Sequence, residues 1–270
     1  MRKYVFILSM ILLLIPLSLG IVSFFYTPYP ITEMDIDNRF SGISKEHLLG
    51  TDQFGRDLLS RLMVASRYAL LLGTVSVTLG LCAGAFIGVI SALSNKWISM
   101  IFLRFIDGML AFPGIVLAMM FVVVFGDGLY STLIAIAIFM IPIFARLTYS
   151  LIKEQQHALY IVAAKSMGLS TPRIVWRHYL PVILPRLVTQ FSASIGSAIL
   201  IESALSYLGL GVVPPNASFG LMLKEAQSFM LSYPYLILPS GILLVITVLG
   251  LNLMGDTLND RLMKLGDTHD

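Results

Sequence analysis

The sequence has few charged residues and almost no cysteine. Charged side chains make up 12% of its 270 residues, whereas a soluble domain carries roughly 25%. Apolar residues make up 57%, and the mean hydropathy is +0.87. So few charges cannot cover a soluble globule of this size, which excludes a soluble enzyme, a disordered protein and a collagen-like chain. Cys82 is the single cysteine and excludes an intrachain disulfide, and a net charge of +3 is too small to indicate nucleic-acid binding.

Two kinds of catalytic motif are also missing from the sequence. No G-x-x-x-x-G-K-[ST] phosphate loop occurs, so we expect ATP to be bound by a separate subunit rather than by this chain. The four histidines are scattered and form no H-x-x-x-H pair; they are His47, His157, His178 and His269. We therefore predict that the chain is not an enzyme and holds neither a metal nor a cofactor of its own.

Long apolar runs predict a polytopic membrane protein. A helix crosses the hydrocarbon core with about 20 mostly apolar residues. Six runs meet this requirement: 4–26, 68–93, 98–125, 128–145, 183–201 and 233–255. The first run follows Arg2 and Lys3 and is predicted to be a retained anchor, with a cleaved signal peptide as the alternative. Pro113 is expected to kink the third run, and 126–128 is expected to be a tight turn.

The distribution of Lys and Arg predicts the orientation of these spans. With the N-terminus inside, twelve of the 18 basic residues fall on the cytoplasmic side. Both termini are then cytoplasmic. The predicted outer loops are 27–67 and 206–232, and the largest inner loop is 146–182.

Small residues recur at a regular spacing in the second run. Gly80, Gly84 and Gly88 are four residues apart, which places them on one face of a helix. Such a face lets a neighbouring membrane helix approach to backbone contact. It is either a packing seam alone or a seam that slides when a transport pathway opens.

Asp107 lies within the third predicted span, and Glu202 lies at the outer end of the fifth. Asp107 lies one turn from Arg104, so we expect an ion pair between them near the inner interface. Glu202 lies near the outer end of the fifth run, where it is either a functional carboxylate or solvated at the interface. An ion-coupled secondary transporter, the alternative function, would need these two carboxylates as ion sites.

The inner loop contains the most informative segment of the sequence. Its first part predicts a short helix with an apolar stripe at i, i+3, i+4 and i+7, formed by Tyr160, Ala163, Ala164 and Met167. Gly168 suits the left-handed position that ends such a helix. Thr171 is expected to cap the next helix, with Pro172 at its first position. A helix of this kind fits a hydrophobic groove on another protein or lies flat on the bilayer.

This segment resembles the coupling motif of permease subunits of ATP-binding-cassette importers. The matching residues are Ala163, Ala164, Gly168, Leu180 and Pro181; Val162 stands where the family usually has Glu, and His178 where an aliphatic residue is commoner. Four further stretches, spread over residues 48–260, are similar to the dipeptide, oligopeptide and nickel permeases. They are 49–61, Asp107 with 110–113, 205–211 with Pro215, and 252–256.

The resemblance implies an all-α, six-span permease with the type I importer fold and a cytoplasmic coupling helix. It implies an N-terminal helix and outer segment at 1–65, a five-helix core at 66–258 that contains the loop 146–182, and a cytoplasmic tail at 259–270. The residues implied to couple to the ATPase are Ala163, Ala164, Met167, Gly168 and Pro172.

The same resemblance implies the partners and the setting. They are a second, homologous permease subunit, two ATPase subunits that bind ATP and Mg²⁺, an extracytoplasmic solute-binding protein, and the lipid of a bacterial cytoplasmic membrane. No nucleic acid is implied. The cargo stays open between nickel or a metal chelate and dipeptides or oligopeptides.

Overall fold

A computed structural model describes residues 2–266 of the chain, with side chains from 4 to 257. The described residues are helical or lie in loops, apart from one isolated bridge between Thr51 and Asp57. The all-α class is therefore confirmed. The α-helices are α1 (Arg2–Val22), α2 (Leu58–Leu93), α3 (Lys96–Leu110), α4 (Gly114–Phe125), α5 (Leu129–Gln155), α6 (Leu159–Ser166), α7 (Thr171–Ile174), α8 (Leu180–Leu208), α9 (Phe219–Gln227) and α10 (Leu238–Gly266).

Most of the predicted spans are present as long apolar helices. Five segments of the described chain are long and apolar enough to cross a membrane: Tyr4–Val22, Leu58–Leu93, Leu129–Gln155, Thr171–Leu208 and Pro234–Thr257. The chain between α4 and α5 turns at Gly126 and Gly128, which both have positive φ, as the sequence predicted. Helix α10 continues to Gly266, through much of the predicted tail 259–270, whose last four residues lie outside the described chain.

The predicted continuous third span is wrong. Helices α3 and α4 are separated by a short break and bent by 96°. Pro113 has no N–H to donate and disfavours helical geometry in the residue before it, so the chain leaves the helix after Leu110 and restarts at Gly114. A break replaces the expected kink.

The two halves of this broken segment nevertheless run along one neighbour. Asp107 of α3 pairs with Arg146 of α5, and Gly114 at the start of α4 packs against the Phe139 ring. The end of α4 reaches the start of α5, where the Ser131 hydroxyl donates to the Phe125 carbonyl at 3.2 Å. Because these contacts advance in the opposite direction along α5, α3 and α4 together run antiparallel to α5.

Helices α2 and α5 pack at backbone distance. A Cβ atom built on Gly84 would lie 2.5 Å from the Ile141 carbonyl oxygen, and one on Gly88 would lie 2.6 Å from the Ala145 carbonyl oxygen. Gly80 lies equally close to Met140. The structure thus places the three glycines along one seam against α5.

Helix α1 packs against α2 and α10. The Arg67 guanidinium donates to the Ser23 carbonyl at 3.0 Å, and Gly250 of α10 lies against Leu13. Helix α2 begins at Leu58, where Asp57 caps it by accepting from the Ser60 N–H, and it runs unbroken across the position 65/66 at which the sequence suggested a boundary.

A buried ion cluster lies at the end of the bundle that carries α9. Arg56 Nε lies 2.7 Å from Asp52 Oδ2, and Arg56 Nη2 lies 2.9 Å from Glu225 Oε2. Arg61 contacts the same two carboxylates, at 2.7 Å from Glu225. The four side chains are largely buried and join the loop before α2 to α9.

We expect Gly84→Ala to destabilise the protein by about 1–3 kcal/mol, because the new methyl group would overpack the seam against backbone. Thermal unfolding of the purified protein in detergent measures the effect. Gly108→Ala is the matched control, since Gly108 is also helical and has open space where a Cβ would point. Equal melting temperatures for the two variants would contradict a tight α2–α5 contact.

We expect Arg61→Met to cost about 3–5 kcal/mol, because it leaves Asp52 and Glu225 with too little positive charge in a buried cluster. Arg186→Gln is the control, since the Arg186–Glu154 pair is about half exposed and should be worth under about 1 kcal/mol. Thermal unfolding in detergent again provides the measurement, and a similar loss for both variants would argue against burial of the cluster.

Candidate functional site

Helix α6 forms a short, sharply ended element at the opposite end of the bundle. It spans Leu159–Ser166 and ends because Gly168 adopts a positive φ of 76°. The Leu169 N–H then donates to the Ala164 carbonyl at 3.2 Å and the Gly168 N–H to the Lys165 carbonyl at 3.0 Å. These two bonds form a Schellman motif, which satisfies the last carbonyls of the helix. The predicted role of Gly168 as helix terminator is confirmed.

The two faces of α6 differ from the predicted stripe. Ile161 and Ala164 are buried, with Ala164 only 1% exposed. The exposed face contains Leu159 and Met167, 87% and 72% exposed, together with Ala163. The grouping of Ala164 with the outward residues is therefore wrong, because the helix turns that side chain onto the core.

Two residues on this surface were not part of the predicted stripe. Val162, at the position where the family usually has Glu, is exposed, so its side chain is available to a neighbour. Leu159 lies at the first helical position, one residue before the stripe that the sequence suggested. Its exposure follows from how α6 rests on the bundle, which a helical period alone does not specify.

The link from α6 to α8 is compact and nearly continuous. Ser170, rather than Thr171, occupies the N-cap of α7, so the predicted cap is shifted by one residue; Pro172 still lies in the first turn and is exposed. A π-helical turn at Val175–Tyr179 joins α7 to α8, and Tyr179 is buried. The segment therefore enters the membrane helix without a flexible loop.

Side-chain contacts hold α6 against its neighbours. The Tyr160 hydroxyl donates to Gln155 Oε1 at 2.7 Å, and its ring lies 6.4 Å from the ring of His178. Desolvation raises the pKa of Tyr160 above its ordinary value, so the phenol stays protonated and keeps donating. These contacts anchor α6 to the end of α5 and to the turn before α8.

Glu202 is not solvated at an interface, as one of its two interpretations supposed. It is fully buried in α8 and accepts from the hydroxyls of Ser206 at 2.7 Å and Ser203 at 3.2 Å. The Ser206 hydroxyl in turn accepts from the Val212 N–H at 2.9 Å. Through Ser206, the Glu202 side chain therefore helps to position Val212 in the chain after α8.

Asp107 does not pair with Arg104, as the sequence suggested. Its partner is Arg146 of α5, and both side chains are roughly half exposed. The i,i+3 spacing made Arg104 available, but the packing of α3 on α5 brings a different guanidinium to the carboxylate.

Other candidate features are structural or missing within the described chain. The described residues contain no group of three or more His, Cys, Asp or Glu side chains that could hold a metal ion.

The buried cluster of Asp52, Arg56, Arg61 and Glu225 was not predicted. The i,i+4 spacing of Asp52 and Arg56 is a signal that could have indicated a local pair, whereas Glu225 is too distant in sequence to be assigned to it.

Comparisons with known proteins match this architecture. Residues 84–264 match the family model described as the binding-protein-dependent transport system inner membrane component. The chain is similar to solved structures of the inward-facing MetNI methionine ABC transporter, with a TM-score of 0.61 and 19% identity over 72% of this chain and 92% of the other. At this identity the likeness shows the fold, which is that of an importer permease.

Curated relatives agree over most of the chain. A dipeptide transport system permease protein from Alkalihalophilus pseudofirmus is 40% identical over 85% of this chain and 76% of its own length. A glutathione transport system permease protein from Pectobacterium atrosepticum is 35% identical over 97% of this chain and 87% of its own length. The chain therefore belongs to the binding-protein-dependent transport system inner membrane components, and it is a multi-pass permease of an ATP-binding-cassette importer.

Proposed function

We propose that the chain forms half of the translocation pathway of a short-peptide importer and that α6 couples it to ATP hydrolysis. The observation that supports this proposal is the exposed apolar face of α6, formed by Leu159, Ala163 and Met167, on a helix anchored to the bundle. Such a face suits a hydrophobic groove on another protein.

The proposed partner at this face is an ATP-binding subunit. Two such subunits would hold ATP and Mg²⁺, and a second, homologous permease would complete the pathway. The end of the bundle with α6 would then face the cytoplasm, in agreement with the excess of Lys and Arg on that side. The opposite end, closed by the buried ion cluster, would face the solute-binding protein.

The proposed division of the chain assigns separate roles to its parts. The core at 66–258 would form the pathway and would contain the coupling loop 146–182. The preceding segment 1–65 would supply α1 and the outer loop, and 259–270 would be a cytoplasmic tail.

The geometry suggests how movement would pass from α6 into the membrane. Ile161 and Ala164 pack into the core, and the π-helical turn connects the segment directly to α8. A displacement of α6 by the ATPase would therefore move α8 as a rigid element. ATP and the solute-binding protein would each shift the equilibrium between pathway states only by their difference in affinity for those states.

The proposed cargo is a short peptide. The relatives described above are named as dipeptide and glutathione permeases, and they cover most of this chain. Nickel or a metal chelate, the other cargo suggested by the sequence, has no support from these relatives. The alternative of an ion-coupled secondary transporter is disfavoured by the family, and Glu202 and Asp107 are both engaged by protein side chains.

We expect Ala163→Arg to reduce peptide uptake at least tenfold while leaving the amount of protein in the membrane unchanged. The bulky cation would project from the exposed face of α6 and prevent its insertion into an apolar groove. Uptake of labelled dipeptide, with abundance measured on blots, is the test. Lys165→Arg, at an exposed position of α6 that already carries a cation, should leave uptake unchanged.

The position of Ala164 sharpens this prediction. Ala164→Arg should lower both abundance and uptake, because Ala164 is buried. Normal uptake by an abundant Ala163→Arg variant would contradict the proposed role of α6.

We expect cells with the complete transporter to accumulate labelled dipeptide or glutathione, and to lose this uptake when the chain is deleted. Uptake should persist when ion gradients are collapsed with ATP maintained, and stop when ATP is depleted. Uptake of labelled nickel, measured in parallel, should not change on deletion. Nickel uptake that depends on the chain, or peptide uptake that follows the ion gradient, would contradict the proposal.

A further inference from the structure

Helix α3 has an exposed apolar ridge. Trp97, Ile101 and Phe105 are 75%, 69% and 63% exposed, and their spacing of four residues places them on one side of the helix. The other side packs on the bundle through Ser99 and Ile106, which are buried. The coupling face of α6 does not include this ridge.

A basic cleft of about 610 Å³ lies between α3 and the end of α5. Three cations line it, Lys96, Arg104 and Lys153, and its single carboxylate, Asp107, is already paired with Arg146. The remaining lining is polar or apolar: Ser94, Ser99, Met100, Leu103 and Tyr149.

None of these three cations has an ion-pair partner among the residues that the structure describes. Lys153 donates to Gln156 at 3.1 Å and lies over the Tyr149 ring. Lys96 and Arg104 are exposed and, among the residues that the structure describes, neither forms an ion pair. The cleft therefore has an excess of positive charge that suits an anion.

The connection between α2 and α3 places the start of α3 at the end of an apolar run that is long enough to span a membrane. Helix α2 ends at Leu93 and α3 begins two residues later than Ser94, at Lys96, with Asn95 as its cap, which accepts from the Ile98 N–H at 3.0 Å. The tight connection fixes the start of α3 where the apolar run of α2 finishes. The 96° bend then turns α3 away from the direction of α4.

We propose that α3 is an interfacial helix that binds an anionic phospholipid. Trp97, Ile101 and Phe105 would enter the boundary of the acyl chains, and Lys96 and Arg104 would bind the lipid phosphate in the cleft. A basic helix with an aromatic and aliphatic face is typical of membrane interfaces, and basic pockets between membrane helices suit anionic headgroups. That the leaflet is the cytoplasmic one rests on the proposed function.

The charges favour lipid over a protein partner as the occupant. Tryptophan is enriched at the boundary between water and acyl chains, where its ring is apolar and its N–H is hydrated. The ridge and the cleft both lie on α3. A single lipid can therefore place its acyl chains against the ridge and its phosphate in the cleft. A protein surface would have to supply both apolar and acidic groups in that arrangement.

Quenching of Trp97 fluorescence tests the proposal. The chain has two tryptophans, so Trp176→Phe leaves Trp97 as the only one. The purified full-length chain is reconstituted in vesicles with phosphatidylglycerol or phosphatidylcholine brominated on the acyl chains. We expect brominated phosphatidylglycerol to bind about 25-fold more strongly, since each of two cations contributes roughly fivefold near an anionic surface.

A charge variant and a matched control isolate the cleft. Lys96→Gln with Arg104→Gln should remove most of the preference for phosphatidylglycerol. Arg39→Gln with Lys45→Gln, which removes two exposed charges from the outer segment, should leave it unchanged. Inorganic phosphate added to the vesicles should not compete with the lipid.

Several outcomes would overturn the lipid site. They are equal quenching by both lipids, no quenching of Trp97 by either, and competition by inorganic phosphate. Loss of co-purifying ATP-binding subunits from the complex with Lys96→Gln and Arg104→Gln would instead identify a protein-docking surface.

The orientation is tested separately. In a Cys82→Ala background, Ser166→Cys should react with a membrane-impermeant maleimide only after cells are permeabilised. Labelling in intact cells would contradict the proposed function, whereas quenching by lipid does not depend on which leaflet is cytoplasmic.

Discussion

The backbone contact between α2 and α5 is the interaction on which the other parts of the bundle depend. In a membrane, helices gain little from burying apolar side chains, because lipid is equally apolar. Gly80, Gly84 and Gly88 have no side chains. Helix α5 therefore approaches α2 until carbonyl oxygens and Cβ atoms of α5 occupy the space that side chains of α2 would fill. Helix α5 then positions α3, α4 and the start of α6.

The two ends of the bundle differ in the side chains that they carry. At the end with α9, Asp52, Arg56, Arg61 and Glu225 form a buried network that joins distant segments of the chain. Loss of a single member of such a network is strongly destabilising, because it leaves an uncompensated buried charge. At the other end α6 presents its exposed apolar side chains. One end is therefore fixed by internal ion pairs, whereas the other leaves apolar side chains exposed.

A local signal predicted where α6 ends. Gly168 ends α6 because glycine tolerates positive φ, which is a property of one residue and its neighbours. The partner of Asp107 and the orientation of Ala164 were predicted incorrectly. Both depend on how a helix is placed on another helix, and a periodic pattern gives the faces of a helix without saying which face meets the core.

The sequence by itself determined the membrane class, five of the spans and the family, because low charge, long apolar runs and short motifs are properties of contiguous residues. Only the tertiary structure decided that the third span is broken, that Glu202 is enclosed by hydroxyls and that Glu225 joins Arg56 and Arg61. Those features bring together residues far apart in the chain, or balance a local preference against packing. Their energies arise from contacts that exist only once the helices have assembled.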